Sequence, residues 1–208
     1  MNSLTENDIR RIKPEIFKCL QNAAQHLSLM LEKDIQVMEP EVTTFDVKRI
    51  PYIFGGSQKV VSGIYVGYHG ENLPQGNMIS YDGHLLLTFN LESAFELAAI
   101  LMEGLQVPIG SVNGMTESVF SEIGNVFGTS FITAMANYIG VRVMPSVPVV
   151  INYRSTSILK YLLGKMKRKE GRVLLIQTQI IADEISVEGK FLLIPEDYDS
   201  LISITNNP

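Results

Sequence analysis

The sequence predicts an α+β protein with a largely antiparallel sheet and packed long helices, internally duplicated and pseudo-symmetric, and three observations carry that prediction. Helical segments alternate with β-rich stretches twice along the chain. Two short landmarks recur at one offset of 106 residues: Ile35-Gln36-Val37-Met38 as Val141-Arg142-Val143-Met144, and Gly83-His84-Leu85-Leu86-Leu87 as Gly189-Lys190-Phe191-Leu192-Leu193. The 208 residues are 46% hydrophobic and 19% charged, the composition of a packed globule rather than of a disordered chain. The reading is therefore one domain over 1–208 made of two repeats, about 9–105 and 115–203.

The elements follow from local patterns. Ile9, Ile12, Ile16, Leu20, Leu27 and Leu31 recur at helical spacing, and Pro14 places the start of that helix near itself, in the first turn. Val60–Val66, Met78–Tyr81 and His84–Phe89 read as strands, with Asp82-Gly83 as a two-residue hairpin turn between the last two. Asn90 is placed to cap a helix from Leu91 to about Met102. A second long helix is expected from about Thr116 to Tyr138, stopped by Gly140. Strands are expected at Val141–Met144, Val147–Asn152, Val173–Ile181 and Ile185–Ile194, with a helix from Ser155 towards Lys169. Residues 203–208 read as a frayed tail.

Charge and cysteine content narrow the function. With 17 Lys+Arg against 22 Asp+Glu the net charge is -5, which disfavours nucleic acid as a partner. Cys19 is the single cysteine and cannot close an internal disulfide, which fits a reducing cytoplasm. The N-terminus lacks the apolar core of a signal peptide, and no apolar run reaches the ~18 residues of a membrane span, so membrane insertion is not expected.

The helix at 116–138 carries the most information. On a helical wheel Val119, Phe120, Ile123, Val126, Phe127, Phe131 and Ala134 share one broad side, and Ser118, Glu122, Asn125, Thr129 and Thr133 the other. Gly124 and Gly128 lie between the two sides, where another element could pack closely. Each glycine costs ~1 kcal/mol in a helix interior, which argues for a packing requirement there. A solvated polar face is the plain account of such a pattern; a longer motif argues against it.

Ser118, Glu122, Asn125 and Pro148 reproduce a D/S-x3-E-x2-N-x22-P spacing. In that motif the chain resembles the CheC/CheX/FliY family of chemotaxis phosphatases, which act on the phosphorylated response regulator CheY. The resemblance extends to 121–131, to Pro145-Ser146-Val147-Pro148, to Gly189–Pro195, and to the length and duplication of CheC. It implies a CheC-like fold and a cytoplasmic protein aspartyl-phosphate phosphatase. Asn125 would orient the attacking water, since a carboxamide both donates and accepts without becoming charged, as the orienting Gln of GTPases does. Glu122 would pair with a lysine of the regulator and so fix its docking register. Ser118 and Pro148 would support the helix and shape the following strand. The protein would need no cofactor of its own, the Mg²⁺ belonging to the partner. The partner would be a phosphorylated CheY-type receiver; CheD, the flagellar switch and a second copy of the chain are further partners that the resemblance admits. The alternative is a non-catalytic adaptor that binds a receiver, CheD or the switch.

The first repeat departs from the pattern. A shift of 106 puts Ile12, Ile16, Cys19 and Val42 at the motif positions, and Glu122 begins the only E-x2-N of the chain. A single active helix, with the first a degenerate structural partner, is therefore expected. His26, His69 and His84 are scattered, which disfavours zinc. The basic run from Lys165 through Lys167, Arg168 and Lys169 to Arg172 reads as a solvated helix end, with docking of an acidic partner as the other reading. Gly55-Gly56 and Gly70 read as turns, and Cys19 as a small core residue.

Overall fold

A computed structural model describes residues 5–71, 81–90, 112–167, 169–182 and 185–196. The first helix, α1 (Glu6–Leu31), starts eight residues before Pro14. Thr5 closes a capping box: its hydroxyl oxygen accepts from the Asp8 N–H at 3.2 Å, and Asp8 accepts from the Thr5 N–H at 2.7 Å. The cap and a buried stripe from Ile12 to Leu31 hold the helix through Pro14, so proline sits inside it rather than in its first turn.

Two short strands that local pattern did not reveal follow, β1 (Ile35–Val37) and β2 (Glu41–Asp46), and then a four-residue helix α2 (Ile50–Ile53). The turn predicted at Gly55-Gly56 is present, with φ of 87° and 115°. Strand β3 (Val60–Glu71) is longer than predicted and contains Gly70, which pairs with Val143 instead of turning. Strand β4 (Gly83–Asn90) begins at Gly83, so Asp82-Gly83 is not the predicted hairpin turn. Gly83 faces Tyr68 across the ladder, and a Cβ there would overlap the Tyr68 hydroxyl; the glycine serves close approach. Of the predicted strand Met78–Tyr81 only Tyr81 is described, outside β4. The predicted helix Leu91–Met102, Arg168 and the 203–208 tail lie outside the described residues.

The second long helix starts earlier than predicted: α3 (Val112–Ile123), a π-helical turn (Gly124–Gly128) and α4 (Thr129–Ile139) run on without a break. Gly140 ends it with φ 71°, as expected. Then come β5 (Arg142–Pro145), β6 (Val149–Arg154), α5 (Ser155–Lys165), β7 (Arg172–Ala182) and β8 (Ile185–Pro195). Every ladder among the described strands is antiparallel, in the order β1-β7-β8-β4-β3-β5, with β2 also on β7 and β6 also on β3.

The central pairing matches the offset of the two landmarks. At the centre Leu86 pairs with Leu192, which stands 106 residues farther on. Phe45 faces Val173 on β7, and Ile151, again 106 farther on than Phe45, faces Gly63 on β3. The short strands of each half thus pair with a long strand of the other. Both sheet faces are covered. Leu85, Leu87, Phe89, Phe191 and Leu193 join α1 and the long second helix in one core, while Leu86, Leu192 and Ile194 join α2 and α5 in another. Strands buried on both faces lose the alternation of a half-exposed sheet, hence runs such as 83–89 and 189–195.

Candidate functional site

The site is built on the π turn and the strand beneath it. The buried side of the helix is Val119, Phe120, Ile123, Phe127, Phe131 and Ile132. Phe127 and Phe131 both pack at a tilt against Phe191 of β8, at 5.5 and 6.1 Å between ring centroids. Gly124 and Gly128 are buried as well, and they set how close the helix lies to the sheet. A Cβ on Gly124 would overlap Ile64 Cγ2, and one on Gly128 would come 3.2 Å from Val66 Cγ2. The two glycines therefore seat the helix on β3 at successive residues of one strand face.

That seating pushes the polar face outward. Ser118, Glu122 and Asn125 are all exposed, spread over about 10 Å of helix axis at 1.5 Å per residue. Asn125 lies inside the π turn, a local widening that recurs at functional sites in proteins. The turn changes how its carbonyl is satisfied: the Thr129 N–H donates to the Val126 carbonyl, and the Thr129 hydroxyl donates to the Asn125 carbonyl.

Pro148 reaches the same place from the sheet. Strand β3 pairs with β6 up to Tyr65 and with β5 from Tyr68 onward. Between them Gly67 bonds Ser146, its N–H donating to the Ser146 hydroxyl at 3.0 Å and its carbonyl accepting from the Ser146 N–H at 2.7 Å. The chain therefore bends at Ser146–Pro148, and half-buried Pro148 packs with its Cβ 3.2 Å from where a Gly124 Cβ would stand. Pro148, distant in sequence, is thus brought beside Gly124 on the helix that carries Ser118, Glu122 and Asn125. Beside them Met144 and Val147 are 76% and 82% exposed, an apolar lip on the outer edge of the sheet.

The corresponding positions in the first half look different. Ile12, Ile16, Cys19 and Val42 are all buried. Cys19 is a core residue as expected, and burial pushes its thiol up to about 12.

The remaining candidates are accounted for by other contacts. Lys165 lies over the Tyr161 ring, Lys167 pairs with Asp82, and Lys169 donates to the Leu163 and Met166 carbonyls at the end of α5. Arg172 donates to Thr44. Lys165 and Lys169 thus brace their own helix end, while Lys167 and Arg172 tie to Asp82 and to β2. His69 pairs with Asp82, and His26 bonds Ser130 at 2.8 Å. His84 bridges the Tyr65 hydroxyl and Glu196, each at 2.8 Å, a largely buried chain that no sequence pattern announced. Among the described residues no three His, Cys, Asp or Glu side chains gather as metal ligands, and no helix is long and apolar enough to cross a membrane.

Comparison with known proteins gives the site its context. No family model matches the chain. It is 24% identical over 203 residues, 96% of its length and 97% of the other's, to a Halobacterium salinarum protein named "Putative CheY-P phosphatase CheC1". Its fold is similar to that of Thermotoga maritima FliY, with a TM-score of 0.74 at 17% identity over all of both chains. The FliM middle domain from H. pylori also superposes, with a TM-score of 0.62 at 11% identity over 98% of this chain and 99% of that one. A chain of the H. pylori FliG–FliM complex does so at 0.59 and 10% identity, over 96% and 99%.

Proposed function

We propose that this chain, a CheC/FliY-type protein by its sequence similarity and fold, is a hydrolase that removes the phosphoryl group from the aspartyl phosphate of a CheY-type response regulator. The observation that carries the reading is the exposure of Glu122 and Asn125 on one helix face, with Asn125 inside a π turn seated on the sheet through Gly124.

The chemistry asks little of the protein. An acyl phosphate hydrolyses by itself: water attacks phosphorus, the bond to the aspartyl oxygen breaks, and carboxylate and inorganic phosphate leave. Catalysis then rests mainly on placing water in line, and a well-oriented reactant is worth several orders of magnitude in rate. The Asn125 carboxamide, on a helix held by Phe127 and Phe131 in the core, is the group we assign to that water. Glu122, one turn earlier, is assigned to a lysine of the regulator. Ser118 and Pro148 support the helix, and the metal in the reaction is that of the receiver, so the chain itself carries none. The buried Ile12, Ile16 and Cys19 support one active helix in two repeats.

A second reading is that of an adaptor, because the fold is shared with FliM middle domains, one of them in a complex with FliG. Phosphate release from a phosphorylated CheY-type receiver, with wild type and Asn125→Ala compared at equal concentration, separates the two. A phosphatase accelerates release and loses that acceleration in Asn125→Ala while still binding. An adaptor binds without acceleration.

A further inference from the structure

We infer that Thr129 is a positioning residue for Asn125, its hydroxyl holding the Asn125 carbonyl across the π turn. The inference rests on the phosphatase reading and names a residue that the E-x2-N spacing does not contain.

In an uninterrupted α-helix the N–H of residue 129 would donate to the carbonyl of residue 125. Here the Thr129 N–H donates to the Val126 carbonyl instead. The Asn125 carbonyl accepts from the Thr129 hydroxyl at the point where the helix widens. Serine and threonine make such bonds to the carbonyl four residues back, and the bond changes local helix direction. The Asn125–Val126 peptide plane is therefore held by a side chain. That bond steadies the backbone at Asn125, from which the carboxamide projects.

Two other features make the hydroxyl the adjustable part of this arrangement. Gly124 fixes the near end of the turn against Ile64 and Pro148, and Gly128 fixes the far end against Val66. Between those anchors Phe127 is buried, whereas Asn125 is exposed. A catalytic group has to sit within about 0.5 Å and 10–20° of its productive geometry. A misplacement of about 1 Å can cost on the order of 100-fold in rate.

The test compares Thr129→Val, Thr129→Ser and Asn125→Ala with wild type, using a phosphorylated CheY-type receiver for turnover and a beryllofluoride-loaded receiver for binding. Valine keeps the shape and removes the hydroxyl; serine keeps the hydroxyl. We expect Thr129→Val to lower kcat by about 10- to 100-fold with receiver affinity within about twofold, and Thr129→Ser to stay within about threefold of wild type. Equal kcat in Thr129→Val and wild type, or an equal loss of affinity and kcat, overturns the inference. So does a serine variant as slow as the valine one. If Asn125→Ala keeps wild-type turnover, the phosphatase reading itself has failed, which is a different outcome from a silent Thr129→Val.

Discussion

Substitution of Gly124 by alanine tests the seating of the site helix on the sheet. The added methyl would stand 3.2 Å from Pro148 Cβ and 3.3 Å from Ile64 Cβ, and would overlap Ile64 Cγ2. Unstrained carbon contacts lie at about 3.5–4.0 Å, so something has to move. Ile64 cannot easily do so. It is 1% exposed, its backbone is paired on both sides with Leu87 and Val150, and its β-branched side chain has few rotamers to choose from. The helix must therefore lift. Overpacking of this kind costs about 1–3 kcal/mol, while replacing glycine in a helix returns about 1 kcal/mol. The overlap with Ile64 Cγ2 puts that cost in the upper part of the range, about 2–3 kcal/mol, so a net loss of about 1–2 kcal/mol in urea unfolding is expected, with a fall in phosphatase turnover as Asn125 moves with the helix. The control is Ile64→Ala, which removes the overlapping methyl and by itself costs about 2–5 kcal/mol. In the double variant the losses should fall short of additivity by at least about 1 kcal/mol, because each change relieves the other. A Gly124→Ala protein as stable as wild type, or strictly additive losses, would refute the reasoning.

The other predictions are smaller or act elsewhere. Gly128→Ala meets Val66 Cγ2 at 3.2 Å and needs only a few tenths of an ångström of adjustment, so its stability should lie within about 1 kcal/mol of wild type. Thr5→Ala breaks the capping box of α1 and should cost about 1 kcal/mol in thermal or urea unfolding. The Thr5 hydrogen bonds hold the Asp8 carboxyl below its ordinary value, so the cap contributes above the ordinary carboxylate range and is lost as pH falls through the depressed value; the variant should show a flatter acid limb. Cys19 behaves in the opposite sense. Its thiol is pushed up from 9.0 to about 12 by burial, so the contribution is complete below pH 9 and is lost towards pH 12, where the unfolded chain ionises first. Stability should fall across that window by about 1.4 kcal/mol per pH unit for this group, and Cys19→Ala should remove that share of the slope in urea midpoints measured from pH 8 to 11.

Much of the site could be read in one dimension. The motif residues on the helix lie within eight positions of one another, and helical periodicity alone puts Ser118, Glu122 and Asn125 on one side and the phenylalanines on the other. The two glycines stood out because glycine is costly in a helix, and the long strands because their apolar runs are dense. The 106-residue offset was legible because two short segments kept their order.

Other features depended on contacts between distant segments. Pro14 reads as a helix start when only its own restriction is weighed; the Thr5–Asp8 cap and the stripe from Ile12 to Leu31 extend the helix past it. Asp82-Gly83 reads as a turn by composition, yet Gly83 is the residue that lets Tyr68 lie against β4. Strands β1 and β2 are only three and six residues long, and they exist because β7 offers them an edge. The place of Pro148 beside Gly124 arises in the same way. By itself the sequence determined which residues face water and which face the core, since that follows from the period of the backbone. The tertiary structure decided how closely helix and sheet approach and where Pro148 meets the helix, since steric contact between chain segments distant in sequence has no local signature.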